Sequence, residues 1–194
     1  MNMAYVRLQG DVARGPTYDA EGEYLSFWLD DGTGEVMVSA YRDVTQALVS
    51  EERVPTLGDE VEVAGTLRIR EDFVSLTLNV PDHLTLERPD PVPAQAGTLT
   101  SLDEGLRVVV TGEVRETFTP YEGLTLITVQ DASGEVPVTI DETLTALTGP
   151  LPDVAEGQGI TITGTVALYR DEPQIAPASV KDIVLSEKSA DAAA

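Results

Sequence analysis

Trp28, Tyr41, Phe73 and Tyr18 are spaced among Arg14, Arg42, Arg68 and Arg70 in the first half of the chain. Aromatic faces stack on other flat rings, and guanidinium groups pair with anions, so this set could hold a ligand that presents both. Covalent and acid–base chemistry have far less to work with. The chain has no cysteine, hence no disulfide, no thiolate nucleophile and no thiolate metal site. His83, the single histidine, follows Pro81-Asp82 and reads as an ordinary surface side chain. No second feature supports a Ser–His–Asp site. Asp30-Asp31-Gly32-Thr33-Gly34-Glu35 superficially resembles a calcium loop but lacks the spacing that wraps oxygens around the ion. A second segment, Gln130-Asp131-Ala132-Ser133-Gly134-Glu135, has the same shape, so turn geometry explains both better. No catalytic residue, metal, cofactor or small-molecule substrate is expected, and the protein reads as non-catalytic.

The elements that position the aromatic and basic residues come from an internal repeat. Gly10, Gly34, Gly58 and Gly65 recur as Gly112, Gly134, Gly157 and Gly164, each within a similar local pattern. Repetition at this scale means two copies of one module. The first copy alternates apolar and polar residues over 5–12, 24–30, 35–41, 60–69 and 73–78, the period of half-buried strands. Residues 13–23, rich in Gly, Pro and acids, read as a loop, and 31–34 as a hairpin turn. Asp43 is expected to cap a short helix running to about Glu51. The second copy repeats that order, with strands over 107–114, 124–130, 135–140, 159–168 and 174–175 and a helical turn near 141–147. The expected domains are 3–88 and 98–187. A semi-rigid linker over 89–97 is expected from Pro89, Pro91 and Pro93, and a disordered tail over 188–194.

Five short strands, a helix after the third, and glycines in strands one and four describe a small closed barrel whose strands bend at glycine. The fold class is therefore all-β: two tandem five-stranded OB-fold barrels. The residues Gly10-Asp11-Val12, Phe27-Trp28-Leu29-Asp30-Asp31-Gly32-Thr33-Gly34-Glu35-Val36 and Gly58-Asp59-Glu60-Val61-Glu62-Val63-Ala64-Gly65 carry a resemblance. The chain resembles OB-fold nucleic-acid-binding domains of the anticodon-binding and helicase-associated type. That resemblance implies a ligand across strands two and three, flanked by the loops between strands 1–2 and 4–5. Single-stranded DNA or RNA would use stacking platforms and cations there.

In the first copy that region offers Trp28, Tyr41, Arg14, Tyr18, Arg42, Arg68, Arg70 and Phe73. Asp19, Glu21, Glu23, Asp30, Glu71 and Asp72 stand against them. The second copy has Thr128 where the first has Trp28, and its face shows Leu126, Gln130, Pro137 and Thr139. Phe118 and Tyr121 fall in its 1–2 loop and Tyr169-Arg170 in its 4–5 turn. Such a face suits a protein better than bases. The alternative to a nucleic-acid binder is thus an acidic protein-interaction or structural module, possibly the soluble part of a larger protein. Trp28 and Tyr41 would then pack on the linker or the second copy.

Charge bears on the choice. The net charge is −22, with 17 acids against 7 arginines in residues 1–88 and 16 acids against 5 bases in residues 98–194. Both copies are acidic, and only Lys181 and Lys188 are lysines. At physiological salt, where the Debye length is about 8 Å, such a chain repels a polyanion. At about 1 M salt the length is about 3 Å and the repulsion is small. An acidic, lysine-poor surface fits either a protein from a salty cell or an ordinary acidic protein from a GC-rich genome. The opening residues lack a basic stretch followed by an apolar one, and no apolar run would span a bilayer, so a cytoplasmic protein is expected.

Overall fold

The computed structural model describes residues 2–70 and 73–186 and divides the chain into two compact units, Met1–Pro89 and Asp90–Ala194. In the first unit, β1 (Asn2–Asp19), β2 (Tyr24–Asp30) and β3 (Glu35–Tyr41) form an antiparallel meander. A short helix, α1 (Asp43–Ser50), leads to β4 (Glu60–Arg70), β5 (Phe73–Thr77) and the short β6 (Leu84–Glu87). The ring order is β1-β2-β3-β5-β4, closed by pairing of β4 with β1, and only β3–β5 is parallel. Closure is possible because β1 is long enough to pair twice. Its first half, Asn2 to Asp11, lies on β4, and its second half, Asp11 to Asp19, lies on β2. Gly10 sits at that changeover, where an added Cβ would fall 2.2 Å from the Asp30 carbonyl oxygen. Gly65 marks the point where the partner of β4 changes from β6 to β5, and its Cβ would fall 2.2 Å from the Thr77 oxygen. Inside the ring, Leu25, Phe27, Leu29, Val38, Val61, Val63 and Leu76 are buried. Each such side chain contributes about 1.5–3 kcal/mol through removal from water.

The second unit begins with β7 (Val92–Ala94), followed by β8 (Arg107–Tyr121), β9 (Leu124–Asp131) and β10 (Gly134–Asp141). Helix α2 (Glu142–Thr148) leads to β11 (Gly159–Tyr169), β12 (Glu172–Ala176) and β13 (Ile183–Leu185). The ring β8-β9-β10-β12-β11 closes through β11–β8, the same topology as the first. Its core is built from Val110, Ile127, Val129, Val138, Ile160, Ile162 and Ile175. Each unit is thus an OB-fold barrel, and the chain is all-β with the two barrels in tandem.

Three sequence expectations need correction. Residues 13–19 are strand, not loop: β1 absorbs Gly15 and Pro16 through two shifts of register and keeps its ladder with β2 to Asp19. The same holds in the second unit, where β8 runs on to Tyr121 and carries Phe118. Most of 89–97 is not linker: Val92–Ala94 pairs with β8, Ala96 is buried in the second core, and the Gly97 amide donates to Ser133. Proline can join a sheet at an edge, where its missing N–H is not needed. Asp43 does not cap α1; the cap position is Arg42, without a side-chain hydrogen bond, and Asp43 sits in the first turn, where its charge suits the helix dipole. In the second unit Asp141 does cap, accepting from the Leu144 amide at 2.8 Å. The expected tail over 188–194 and the turn residues Glu71 and Asp72 lie outside the described residues.

Candidate functional site

The first barrel's outer face follows from its register. Residues directly opposite on neighbouring strands share a face. Arg14 lies opposite Trp28, Trp28 opposite Met37, Met37 opposite Ser75 and Ser75 opposite Arg68. One transverse row, Arg14–Trp28–Met37–Ser75–Arg68, therefore crosses five strands on the outside. Its neighbours Phe27, Leu29, Val38 and Leu76 point inward and are buried. Arg70 lies opposite Phe73, two residues along from Arg68 and Ser75, so both face the same way.

The rings on this face are in contact. The Phe73 ring meets Trp28 edge-on at 6.3 Å between centroids. The Arg14 guanidinium lies 4.4 Å from the Trp28 centroid and pairs with Glu35. Tyr24 and Tyr41 are paired across β2–β3, with ring centroids 5.0 Å apart. The Tyr24 hydroxyl reaches Met37 Sδ at 3.8 Å. Ser26 and Ser39, which face outward between these residues, are buried. Tyr41 and Phe73 stay well exposed, while Trp28 is half-buried.

Most cations of this unit are committed elsewhere. Arg7 pairs with Glu62, Arg14 with Glu35, Arg53 with Glu51 and Arg88 with Asp59. Arg42, Arg68 and Arg70 are exposed and make no ion pair among the described residues. Arg42 turns the corner from β3 to α1 with φ 42° and ψ −113°, an uncommon backbone for a residue with a Cβ. Strain of this kind tends to collect at functional positions.

Of the residues singled out from sequence, Arg14, Trp28, Tyr41, Arg68, Arg70 and Phe73 come together on one face. Arg42 lies at its edge, beside Tyr41. Tyr18 does not join them: it pairs with Leu25, an inward residue, and so faces away from Trp28. Sequence reasoning missed Ser75 in the row, since a serine between two apolar residues gives no signal. It also missed Glu35 as the partner of Arg14, because the two meet only through the bulged register of β1.

The hairpin at 31–34 is a turn held by its own side chains. Asp31 Oδ1 accepts from the Thr33 hydroxyl at 2.6 Å and the Thr33 amide at 2.9 Å, which holds its carboxyl below the usual range. Asp131 does the same with Ser133 and also accepts from the Ala96 amide, with the same downward shift. Among the described residues, no group of three or more His, Asp or Glu side chains is placed to hold a metal ion. His83 Nδ1 meets the Tyr5 hydroxyl at 2.5 Å on the surface. No described helix is long and apolar enough to cross a membrane.

The second barrel presents a different row. Glu116 lies opposite Thr128, and Thr128 opposite Pro137. Gln174 comes one residue before the Val138–Ile175 pair and lies opposite Ala167. The row Glu116–Thr128–Pro137–Gln174–Ala167 replaces every member of the first.

No family model matches this sequence, and no curated protein matches it. Among solved structures, the chain is similar to three OBody proteins bound to hen egg-white lysozyme. One has TM-score 0.39 and 21% identity over 53% of this chain and 100% of its own. The others have TM-score 0.40, at 21% identity over 52% of this chain and 96% of that one, and at 20% over 53% and 99%.

Proposed function

We propose that the first barrel binds single-stranded nucleic acid, DNA or RNA, across β2 and β3, and that the protein is a non-catalytic binder. The observation that carries this reading is the row Arg14–Trp28–Met37–Ser75–Arg68, with Phe73 and Arg70 beside it and with Arg42, Arg68 and Arg70 making no ion pair among the described residues. Single strands need bared rings for their bases and cations for their phosphates, and base–aromatic stacking supplies about 1–3 kcal/mol per base. Trp28, Phe73 and Tyr41 are the platforms. Arg68, Arg70 and Arg42 are the phosphate contacts. Arg14 is already satisfied by Glu35 and Trp28, so it braces the indole and adds little net positive charge. Stacking, more than charge, must carry affinity on a chain of net charge −22.

Trp28 is the only tryptophan, so its fluorescence reports on the site without labels. Titration with oligothymidine and oligouridine, at about 0.1 M and about 1 M salt, should quench it with saturation. No quenching by either oligonucleotide at either salt would rule the reading out.

A further inference from the structure

The end of the second barrel's outer face near the β8–β9 turn carries the chain's most exposed aromatic pair on one strand, Phe118 at 57% and Tyr121 at 65%. Phe118 lies opposite Leu126 and Tyr121 opposite Leu124. Leu124 and Leu126 alternate with the inward Ile127 and Val129, so all four side chains share the outer face. Carboxylates surround this apolar strip. Glu116 is on the same face opposite Thr128, and Glu122 follows Tyr121 in the exposed turn. Asp141 lies opposite Leu124, and the Glu142 carboxylate lies against Gly123.

The unit's described cations have partners outside the strip. Arg107 is near Asp182 at 3.9 Å and mostly buried, Arg115 pairs with Glu135, and Arg170 stacks 5.2 Å over Tyr169. Lys181 belongs to the turn ahead of β13. An apolar strip with aromatic faces and a rim of carboxylates that make no ion pair among the described residues is complementary to one kind of chain. That chain alternates apolar residues with arginine or lysine, whose cations meet carboxylates and ring faces while its apolar side chains cover the strip. A nucleic acid is excluded here by the same charges that surround the rings.

We infer that this face is a docking surface for an extended basic, partly apolar peptide segment of another protein. The site is separate from the row on the first barrel and does not depend on that row binding anything.

The test uses the full chain and fluorescein-labelled octapeptides followed by anisotropy. A peptide alternating arginine and leucine should bind, one alternating glutamate and leucine should not, and one alternating arginine and serine should bind several-fold more weakly. Phe118→Ser with Tyr121→Ser should weaken the arginine–leucine peptide about tenfold or more, as loss of two aromatic anchors does. Glu116→Gln with Glu122→Gln should weaken it about threefold to tenfold and flatten its salt dependence. Val184→Ser, at another exposed apolar position of the same unit, should change nothing. Should the double serine variant melt early by circular dichroism, Phe118→Ala and the glutamine pair still decide the matter. Equal binding of the arginine–serine peptide, with no effect of the serine pair, would show net charge alone at work and overturn the site. A wild-type dimer that the serine pair converts to monomer would assign the face to a second copy, which also overturns it.

Discussion

The two barrels share a scaffold and share almost nothing of the face it displays. Gly10 and Gly112 let the first strand pass from one partner to the next under a carbonyl 2.2 and 2.4 Å from where a Cβ would be. Gly65 and Gly164 do the same for the fourth strand. An arginine–glutamate pair is present in both, Arg14–Glu35 and Arg115–Glu135, with Arg115 one residue off the register of Arg14. Yet Trp28 becomes Thr128, Arg68 becomes Ala167, and Arg14, the row's first member, becomes Glu116 in register. Constraint follows backbone proximity: where another strand's backbone would meet a Cβ in the first and fourth strands, both barrels keep glycine. Outer positions face only solvent or a ligand and are free to diverge, so the difference between the rows carries the functional information.

The largest contrast concerns stability. Asp59 is buried, with 2% of its side chain exposed, and holds Arg88 through contacts of 2.8 and 2.7 Å. Its carboxylate also accepts from the Thr56 amide and hydroxyl. The second barrel has Gln158 there, which accepts from the Ala155 amide at 3.1 Å. Asp59→Ala removes a buried carboxylate that accepts from Arg88 and Thr56 and should cost the first barrel about 1.5–3 kcal/mol, the range for hydrogen bonds to a charged group. Gln158→Ala should cost the second about 0.5–1.5 kcal/mol. Urea unfolding checks both, with Trp28 fluorescence following the first barrel and circular dichroism following the whole chain. Equal costs would mean that Asp59 is no more structural than its counterpart.

Both barrels are acidic, so both should gain stability from salt. The melting temperature should rise clearly between low salt and about 1 M KCl, as self-repulsion is screened. A flat profile would remove any link between the charge and a salty environment.

The arginines sharpen the contrast at the site. Arg68→Ala and Arg70→Ala should each weaken oligonucleotide binding more at low salt than at high, and lower the salt slope by about 0.7. Arg115→Ala and Arg170→Ala in the second barrel should leave that slope unchanged. Equal effects from both pairs would mean that phosphate attraction is spread over the whole chain.

The smallest expected effect is shared by the barrels. Hydrogen bonds from Thr33 and Ser133 lower the carboxyl pKa of Asp31 and Asp131 in the folded state. A depressed folded value stabilises the fold above the unfolded value of 3.8 and is lost as pH falls through the lower folded value. The wild type should therefore exceed Asp31→Asn and Asp131→Asn in melting temperature above pH 4, with the gap closing as pH falls below it. A gap that widens in acid would contradict the hydrogen-bond origin of the shifts.

The barrels themselves are legible in the sequence because glycine spacing and apolar alternation record backbone constraint and burial directly. Trp28 is legible as outward because Phe27 and Leu29 take the inward phase. Local composition misleads where tertiary pairing overrides it. Gly15 and Pro16 read as loop but are carried as bulges in a strand held by β2. The prolines at 91 and 93 read as linker, but β8 pairs with Val92–Ala94, an edge strand where the missing N–H of Pro93 is tolerated. Tyr18 reads as a site residue because its side of the sheet depends on where those bulges fall. The pairing of Arg14 with Glu35 has the same origin, and no spacing rule encodes it.

The aromatic position of the row is what should separate the barrels in function. It is tested most directly by giving the first barrel the second barrel's residue. The affinity of the full chain for labelled oligothymidine, followed by anisotropy at about 1 M salt to suppress repulsion, should fall about 5- to 150-fold in Trp28→Thr, the loss of one stacked base at about 1–3 kcal/mol. A Trp28→Thr chain that folds and binds as tightly as the wild type would show that Trp28 is not a stacking platform.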